Sequence, residues 1–157
     1  MAVNQVQNGA QLTLFNQTLA TLTFEKSIEW SGKVSNPGYP ASIAPGAQGR
    51  FSHMRGSNFG SEAAVVYSGT NAAMNPCAWI LGWYAPADST DGNKVYVFCG
   101  PKDLVDSMTD DQIRMSLESG SNSSNATNAS TKTNAAGTIN DKVSNMATVG
   151  ANFGLIP

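Results

Sequence analysis

Few residues of this 157-residue chain have the types and spacing that catalysis needs. His53 is the only histidine, and it lies inside a predicted strand between Ser52 and Met54, where a histidine is more often a surface or hydrogen-bonded strand residue than a general base. Glu25 and Glu29 lie four residues apart on a strand, about 13 Å, which is too far for the carboxylate pair of a retaining glycosidase. We therefore expect no enzymatic activity, no cofactor and no metal site.

Two cysteines fall in a predicted hairpin. Residues 76–84 and 93–99 are predicted as antiparallel strands, joined by a loop that ends in Asp91-Gly92, a pair typical of tight reversals. Cys77 and Cys99 each lie about eleven residues from the expected turn centre, so we expect them opposite one another. They then form either a disulfide or two buried reduced thiols. The reduced form is slightly favoured, because the N-terminus shows no signal-peptide pattern.

Aromatic residues near predicted strand ends favour binding over catalysis. The chain has three tryptophans and four tyrosines, and Trp30 and Tyr84 lie beside predicted loops. Aromatic rings at such places stack on sugars or sit at a membrane interface. The alternative is that the tryptophans fill the space between two sheets. We expect this for Trp79 in mid-strand, and both interpretations stay open for Trp83 and Tyr84.

The elements that must position these residues are short strands. Leu12 and Leu14, and then Leu22 and Phe24, alternate with polar residues at the period of two that marks a half-buried strand. Turn residues separate several such segments over the first hundred residues. The fold class we predict is mainly β: a single β-sandwich of mostly antiparallel strands, forming one domain over residues 1–157.

One short α-helix is predicted to flank the sandwich, at about residues 110–118. Thr109 and Gln112 have the spacing of a capping box at its start. Ile113 and Leu117 form one apolar stripe, which would pack on the face of a sheet.

Residues 119–136 form a polar segment of low complexity, rich in Ser, Asn and Thr. The segment is either a mobile tail or an exposed strand, such as residues 127–133, followed by one more strand marked by Val143, Met146 and Val149. An uncharged edge strand can pair with another chain. This supports an alternative function, a self-associating structural or stress protein that forms a homo-oligomer.

The charge of the chain excludes one class of partner. Nine basic and eleven acidic residues give a net charge of −2 and a pI of about 5.2, with no basic cluster to capture nucleic acid. No apolar run is long enough to cross a membrane. The N-terminus has no signal-peptide pattern, so we expect a cytoplasmic protein, while secretion and action at a membrane surface stay open.

Several short motifs resemble the small jasmonate-induced proteins of plants. They are Leu14-Phe15-Asn16-Gln17-Thr18, Trp30-Ser31-Gly32, Tyr39-Pro40-Ala41-Ser42-Ile43, Gly49-Arg50-Phe51, Ala64-Val65-Val66-Tyr67 and Trp79-Ile80-Leu81-Gly82-Trp83. The order of elements is also similar to that of actinoporins and fungal fruit-body lectins. The resemblance covers residues 11–120, and it implies a β-sandwich of the defence or stress type that binds lipid head groups or glycans.

The resemblance and the aromatic residues together indicate a site. Ser31-Gly32 and Pro86 occupy places similar to the head-group pocket of actinoporins. The ligand-binding site we predict is formed by Trp30, Ser31, Tyr84, Pro86 and Asp88. We expect a non-enzymatic protein, lectin-like or cytolysin-like, whose partner is a glycan or a membrane lipid head group.

Overall fold

Eleven strands and two helices make up the part of the chain that the computed structural model describes, residues 6–56, 59–88, 91–141 and 145–157. The strands are β1 (Gly9–Gln17), β2 (Leu22–Ser31), β3 (Lys33–Val34), β4 (Ser42–Ile43), β5 (Gln48–Met54), β6 (Ser61–Thr70), β7 (Pro76–Ala85), β8 (Lys94–Pro101), β9 (Ser123–Asn128), β10 (Thr133–Ile139) and β11 (Met146–Leu155). The helices, α1 (Lys102–Asp106) and α2 (Asp110–Glu118), lie between β8 and β9.

The strands form two sheets that pack face to face. One sheet has six strands in the order β3-β5-β1-β11-β10-β9, and the other has five in the order β4-β2-β6-β7-β8. Of the strand pairs described, β1 and β11 alone run parallel. The structure confirms the prediction of a mainly β fold, a β-sandwich of mostly antiparallel strands with a short flanking helix.

Apolar side chains from alternate strand positions fill the space between the sheets. Trp79 and Trp83 of β7 are both fully buried there. The indole Nε1–H of Trp79 donates to the carbonyl oxygen of Asn134 at 3.0 Å, which ties the two sheets together. The prediction that Trp79 is a core residue is confirmed, and Trp83, for which two interpretations stood open, is also in the core.

A β-bulge in β2 changes which face its side chains occupy. Phe24 lies opposite Tyr67 and the next paired residue is Lys26, so one residue of β2 is extra. Before the bulge Phe24 packs on the core between the sheets, whereas Ile28 and Trp30 after it pack on the outer face. The bulge therefore turns Trp30 towards the helices, which strict alternation along β2 would not predict.

Both helices cover the outer face of the five-stranded sheet. In α2 the Thr109 side chain accepts from the backbone N–H of Gln112, and the Gln112 side chain accepts from the N–H of Thr109, as the capping box predicts. Ile113 and Val105 pack with residues of β6 and β7. In the described part of the chain no helix is long and apolar enough to cross a membrane.

The sequence analysis predicted one helix and missed α1. This helix has only five residues and one buried side chain, Val105, so it shows no apolar periodicity. It begins directly after Pro101, whose fixed φ suits the start of a helix. Packing of Val105 on the sheet, rather than helix propensity, accounts for it.

The prediction that the cysteines lie opposite one another is wrong. Cys77 pairs with Pro101 and Cys99 with Trp79, because the hairpin register differs by two residues from the expected one. Both thiols face the core, and both are free and buried. Diagonal neighbours of this kind are about 7–8 Å apart, too far for a disulfide without backbone movement, so the reduced alternative is the one observed.

The polar segment, residues 119–136, contains an exposed strand, which was one of the two alternatives, but at other residues than expected. It contains β9, a turn and the start of β10, so the expected strand at residues 127–133 is wrong because those residues include the turn. At the edge of its sheet β9 contacts β8, where the backbone N–H of Val97 donates to Ser124 Oγ at 3.0 Å. The predicted final strand is confirmed as β11, whereas Val143 lies outside the described residues.

The cap of α2 gives a test of how this helix is held. Thr109→Ala removes the acceptor for the Gln112 N–H and is expected to lower the free energy of unfolding by about 1 kcal/mol. Thr109→Ser keeps a hydroxyl at the same place, so it should stay close to wild type. Chemical denaturation measures both, and equal losses in the two variants would contradict the capping role.

Candidate functional site

A pocket of about 290 Å³ opens at one end of the five-stranded sheet, between the sheet and α2. We call it the end pocket. Three adjacent strands form its floor through one row of paired residues, Ser31 of β2, Glu62 of β6 and Tyr84 of β7. Arg114 and Glu118 of α2 form a second wall. Because both faces of the middle strands are buried, a polar pocket can form only at such a strand end.

The structure brings all five predicted site residues together. The residues Trp30, Ser31, Tyr84, Pro86 and Asp88 all line the end pocket. Trp30 and Ser31 belong to β2, whereas the other three lie at the end of β7 or just after it. These two regions are remote in the sequence, and β6 lies between them in the sheet. Whether these residues bind a ligand stays a prediction.

Seven further residues line the pocket, and sequence reasoning missed the three that contribute most to its chemistry, Glu62, Arg114 and Phe59. Glu62 stands at the start of an apolar run and carries no local signal of function. Arg114 lies on α2 four residues before Glu118, a spacing that is common in solvated ion pairs and by itself indicates no function. Phe59 is 71% exposed at the rim, in a loop that sequence reasoning left unassigned.

Backbone geometry at two places shapes the pocket. A second irregularity in β2, between Glu29 and Ser31, makes Trp30 the extra residue opposite β6 and aims its ring at the pocket. Gly60 passes so close to the segment after β7 that an added Cβ would lie 1.8 Å from the carbonyl oxygen of Ala85. Only glycine fits there, and the close approach brings the start of β6 against Pro86.

Arg114 organises the charges of the pocket. Its Nη2 donates to Glu62 Oε1 at 2.9 Å, and its Nε lies 3.3 Å from Glu118 Oε2. The guanidinium also lies over the Trp30 ring, 5.8 Å from the ring centroid. One cation thus faces three lining carboxylates, those of Glu62, Glu118 and Asp88, and the pocket has an acidic excess.

Burial acts strongly on Glu62, whose side chain is only 4% exposed. Desolvation is the largest effect and raises the pKa of this carboxyl to about 7, with Glu118 adding to the rise and Arg114 opposing it. Glu62 is thus a proton-binding group close to neutral pH.

Tyr84 is held from two sides. Its hydroxyl donates to Asp91 Oδ2 at 3.3 Å, and Lys94 Nζ lies over its ring, 5.4 Å from the centroid. Burial and the negative charge of Asp91 raise the pKa of Tyr84 to about 12. The ring is therefore a neutral and fixed wall of the pocket.

A chain of hydrogen bonds next to the pocket is buried at His53, Ser61 and Trp83 and reaches the surface at Glu29. His53 Nε2 is 2.9 Å from Glu29 Oε2, and His53 Nδ1 is 2.6 Å from Ser61 Oγ. Ser61 Oγ also accepts from the indole N–H of Trp83 at 2.9 Å, and the Tyr39 hydroxyl donates to Glu29 at 2.6 Å. His53 is fully buried, so it is a hydrogen-bonded strand residue and not a surface one.

This chain stabilises the base of the pocket. Burial raises the pKa of Glu29, but the hydrogen bonds from His53 and Tyr39 outweigh it and hold that pKa below its ordinary value. Ser61 is fully buried with its hydroxyl bonded to His53, and Ser61 and the next residue of β6, Glu62, both line the pocket. The bonds therefore fix the start of β6, next to Glu62 in the pocket floor.

Removing the hydroxyl of Ser61 tests this arrangement. Ser61→Ala leaves both His53 Nδ1 and the Trp83 N–H buried without a partner, so we expect a loss of about 2 kcal/mol or more in the free energy of unfolding. Ser68→Ala, in the same strand, loses one exposed bond to Glu25 and should change stability by less than about 1 kcal/mol. Similar small losses in both variants would show that the chain of bonds is not important.

The raised pKa of Glu62 predicts a pH dependence. The folded state binds this proton more tightly than the unfolded chain, so the stabilisation is complete below pH 4.5 and is lost as the pH rises to about 7. From about pH 4.5 to about pH 8, wild type should lose about 1–3 kcal/mol of unfolding free energy relative to Glu62→Gln. Denaturation across this range measures the difference, and parallel curves would mean that Arg114 keeps Glu62 ionised throughout.

Solved structures share the fold of the chain. The structure described as lipid binding protein Nakanori superposes with a TM-score of 0.82 at 18% identity, covering 95% of this chain and 72% of that one. A lectin from Xerocomus chrysenteron, XCL, superposes with a TM-score of 0.51 at 13% identity, covering 93% of this chain and 99% of the lectin. The expected likeness to fungal lectins is thus present at the level of fold.

Sequence relatives confirm the resemblance to jasmonate-induced proteins. A jasmonate-induced protein homolog from Atriplex canescens is 40% identical over 158 aligned positions, covering 99% of this chain and 85% of the relative. The 23 kDa jasmonate-induced protein of Hordeum vulgare is 38% identical over 86 positions, covering 53% of this chain and 40% of that protein. A family model described as Nakanori-like protein matches residues 5–150, so the chain belongs to the Nakanori-like family.

Proposed function

We propose that the end pocket binds the polar head group of a membrane lipid, without chemical change to it. The observation that carries the proposal is an acidic pocket with aromatic walls, next to an exposed aromatic side chain at its rim. The structural neighbour described as a lipid binding protein supports the same class of ligand. The relative described as jasmonate-induced supports a role in a stress or defence response.

The charges of the pocket favour a head group with an ammonium group. Glu118 and Asp88, together with the partly ionised Glu62, exceed the charge of Arg114, the one cation among the lining residues, so the pocket attracts a cation and repels a purely anionic group. The Tyr84 ring lies next to these carboxylates and already has the Lys94 ammonium group 5.4 Å from its centroid, so its surroundings suit an ammonium group. The volume of about 290 Å³ lies at the low end of the range for ligand pockets and fits a small head group.

Phe59 gives the pocket a means of contact with the bilayer. Its ring is 71% exposed, and aromatic rings are favoured at the membrane–water interface. A head group in the pocket would place the attached lipid next to this ring. Binding of the head group and contact of Phe59 with the bilayer then act together on one side of the protein.

A glycan in the end pocket is the other ligand class expected from the sequence, and the lectin neighbour supports it through the fold. A neutral sugar would leave the acidic excess of the pocket unbalanced, which favours the lipid head group. Catalysis is not proposed, because the hydroxyl of Ser61 next to His53 is fully buried and engaged by Trp83.

Vesicle sedimentation tests the proposal. We expect wild type to bind vesicles of phosphatidylcholine or phosphatidylethanolamine more strongly than vesicles of phosphatidylglycerol. Tyr84→Ala and Phe59→Ala each remove an aromatic ring from the site, and we expect each to weaken binding by about 10-fold or more.

Leu19→Ala is the matched control for loss of an exposed apolar side chain. Leu19 is 81% exposed and lies beyond the opposite end of β2, about 30 Å along the strand from Ser31. It should bind as wild type does. Equal binding by wild type, Tyr84→Ala and Phe59→Ala would refute the proposal, and release of a trapped dye shows whether binding also permeabilises the vesicle.

A further inference from the structure

A second surface of the protein is free of charge. Strands β1, β11, β10 and β9 are neighbours in the six-stranded sheet, and none of them contains Asp, Glu, Lys or Arg. Their alternate residues face outwards, away from the core. Protein surfaces normally carry about 25–35% charged residues. We call the outward side of these four strands the amide face, for the amide side chains that line its groove.

The strand register sets amide side chains close together on this face. One row runs from Gln17 through a glycine to Asn134 and then to a threonine. The next row runs from Phe15 through Asn152 and an alanine to Asn125. The small residues in the middle leave a shallow groove of about 220 Å³ between the amides.

The amides of the groove are available for a ligand. Within residues 6–56, 59–88, 91–141 and 145–157, no side-chain hydrogen bond is made by Gln17, Asn125, Asn134 or Asn152. Gly154 keeps the floor low beside them, since an added Cβ would lie 2.7 Å from Asn134 Oδ1. Each amide thus presents two N–H donors and a carbonyl acceptor at the surface.

We propose that the amide face binds neutral carbohydrate. Sugar hydroxyls both donate and accept hydrogen bonds, and a primary amide complements both functions at neighbouring hydroxyls. The Phe15 ring, 39% exposed at the edge of the groove, provides an apolar surface for the C–H face of a sugar. The open and nearly flat groove suits a polysaccharide chain lying across the strands, rather than a single sugar enclosed in a cavity.

Other partners fit this surface less well. Nucleic acid or an anionic surface requires Lys or Arg, which these four strands lack. A protein partner would require a larger apolar centre, whereas Phe15 is the one large apolar side chain that the four strands expose, among the residues described. The site is also distinct from the end pocket, because the two lie on different sheets.

Affinity electrophoresis tests the proposal. Native gels that contain mixed-linkage β-glucan, xyloglucan, galactomannan or dextran are compared with gels without polysaccharide, and we expect wild type to be retarded by at least one of the four. Asn152→Asp keeps the shape of the side chain but removes both donors and adds a charge to the groove. We expect its dissociation constant to rise about 10-fold or more, the loss typical of a hydrogen-bonding site.

Thr148→Asp is the matched control, since it adds the same charge to the same face of β11 but outside the groove. It should bind within about twofold of wild type. Tyr84→Ala should keep carbohydrate binding, and Asn152→Asp should keep vesicle binding, so the two proposals can fail separately.

Four outcomes would overturn the proposal. They are absence of retardation by all four polysaccharides, equal losses in Asn152→Asp and Thr148→Asp, loss of retardation in Tyr84→Ala, and a wild-type dimer in sedimentation that Asn152→Asp dissociates. The third would place the carbohydrate in the end pocket. The fourth would assign the amide face to a second copy of the chain.

Discussion

Burial of the five-stranded sheet on both faces is the constraint on which the rest of the structure depends. The other sheet covers its inner face and the two helices cover its outer face, so β6 and β7 are apolar almost throughout. In β6 and β7, charged and polar groups therefore lie near the strand ends. Glu62 and Tyr84 occupy such ends, and the end pocket is formed where the cover of α2 is incomplete. Its position therefore follows from the packing of the layers.

Burying polar groups next to an apolar sheet costs free energy, and two sets of interactions offset this cost. Glu62 is paired with Arg114 from α2, so docking of the helix and formation of the pocket depend on the same ion pair. Deeper in, His53 and Ser61 satisfy each other's polar atoms and those of Glu29 and Trp83. Such a chain is stable only when every member has its partner, since an unpaired buried group costs about 1–3 kcal/mol. The ion pair and the hydrogen bonds thus hold the pocket residues in place, and substitution of any one of them leaves a buried partner unpaired.

The sequence predicted those features that depend on local patterns. The capping box located α2, and the aromatic residues at strand ends pointed to Trp30 and Tyr84, which both line the end pocket. Features that depend on strand register or on partners distant in the sequence could not be predicted from these local patterns. The positions of Cys77 and Cys99 changed with a register shift of two residues, and Arg114 became a site residue only through the docking of its helix. A bulge, which inverts the alternation along β2, leaves no mark that periodicity can detect.

The distribution of charge separates the two surfaces by chemistry. The chain has few charged residues, 13% in all, and none lies in the four strands of the amide face. The end pocket, in contrast, gathers four charged side chains in about 290 Å³. Fields from exposed charges are screened beyond about 8–10 Å at ordinary salt, so ions attracted to the pocket have little effect on the opposite sheet. A charged head group and a neutral sugar chain could therefore occupy one molecule without competing, which would bring a membrane surface and a polysaccharide together.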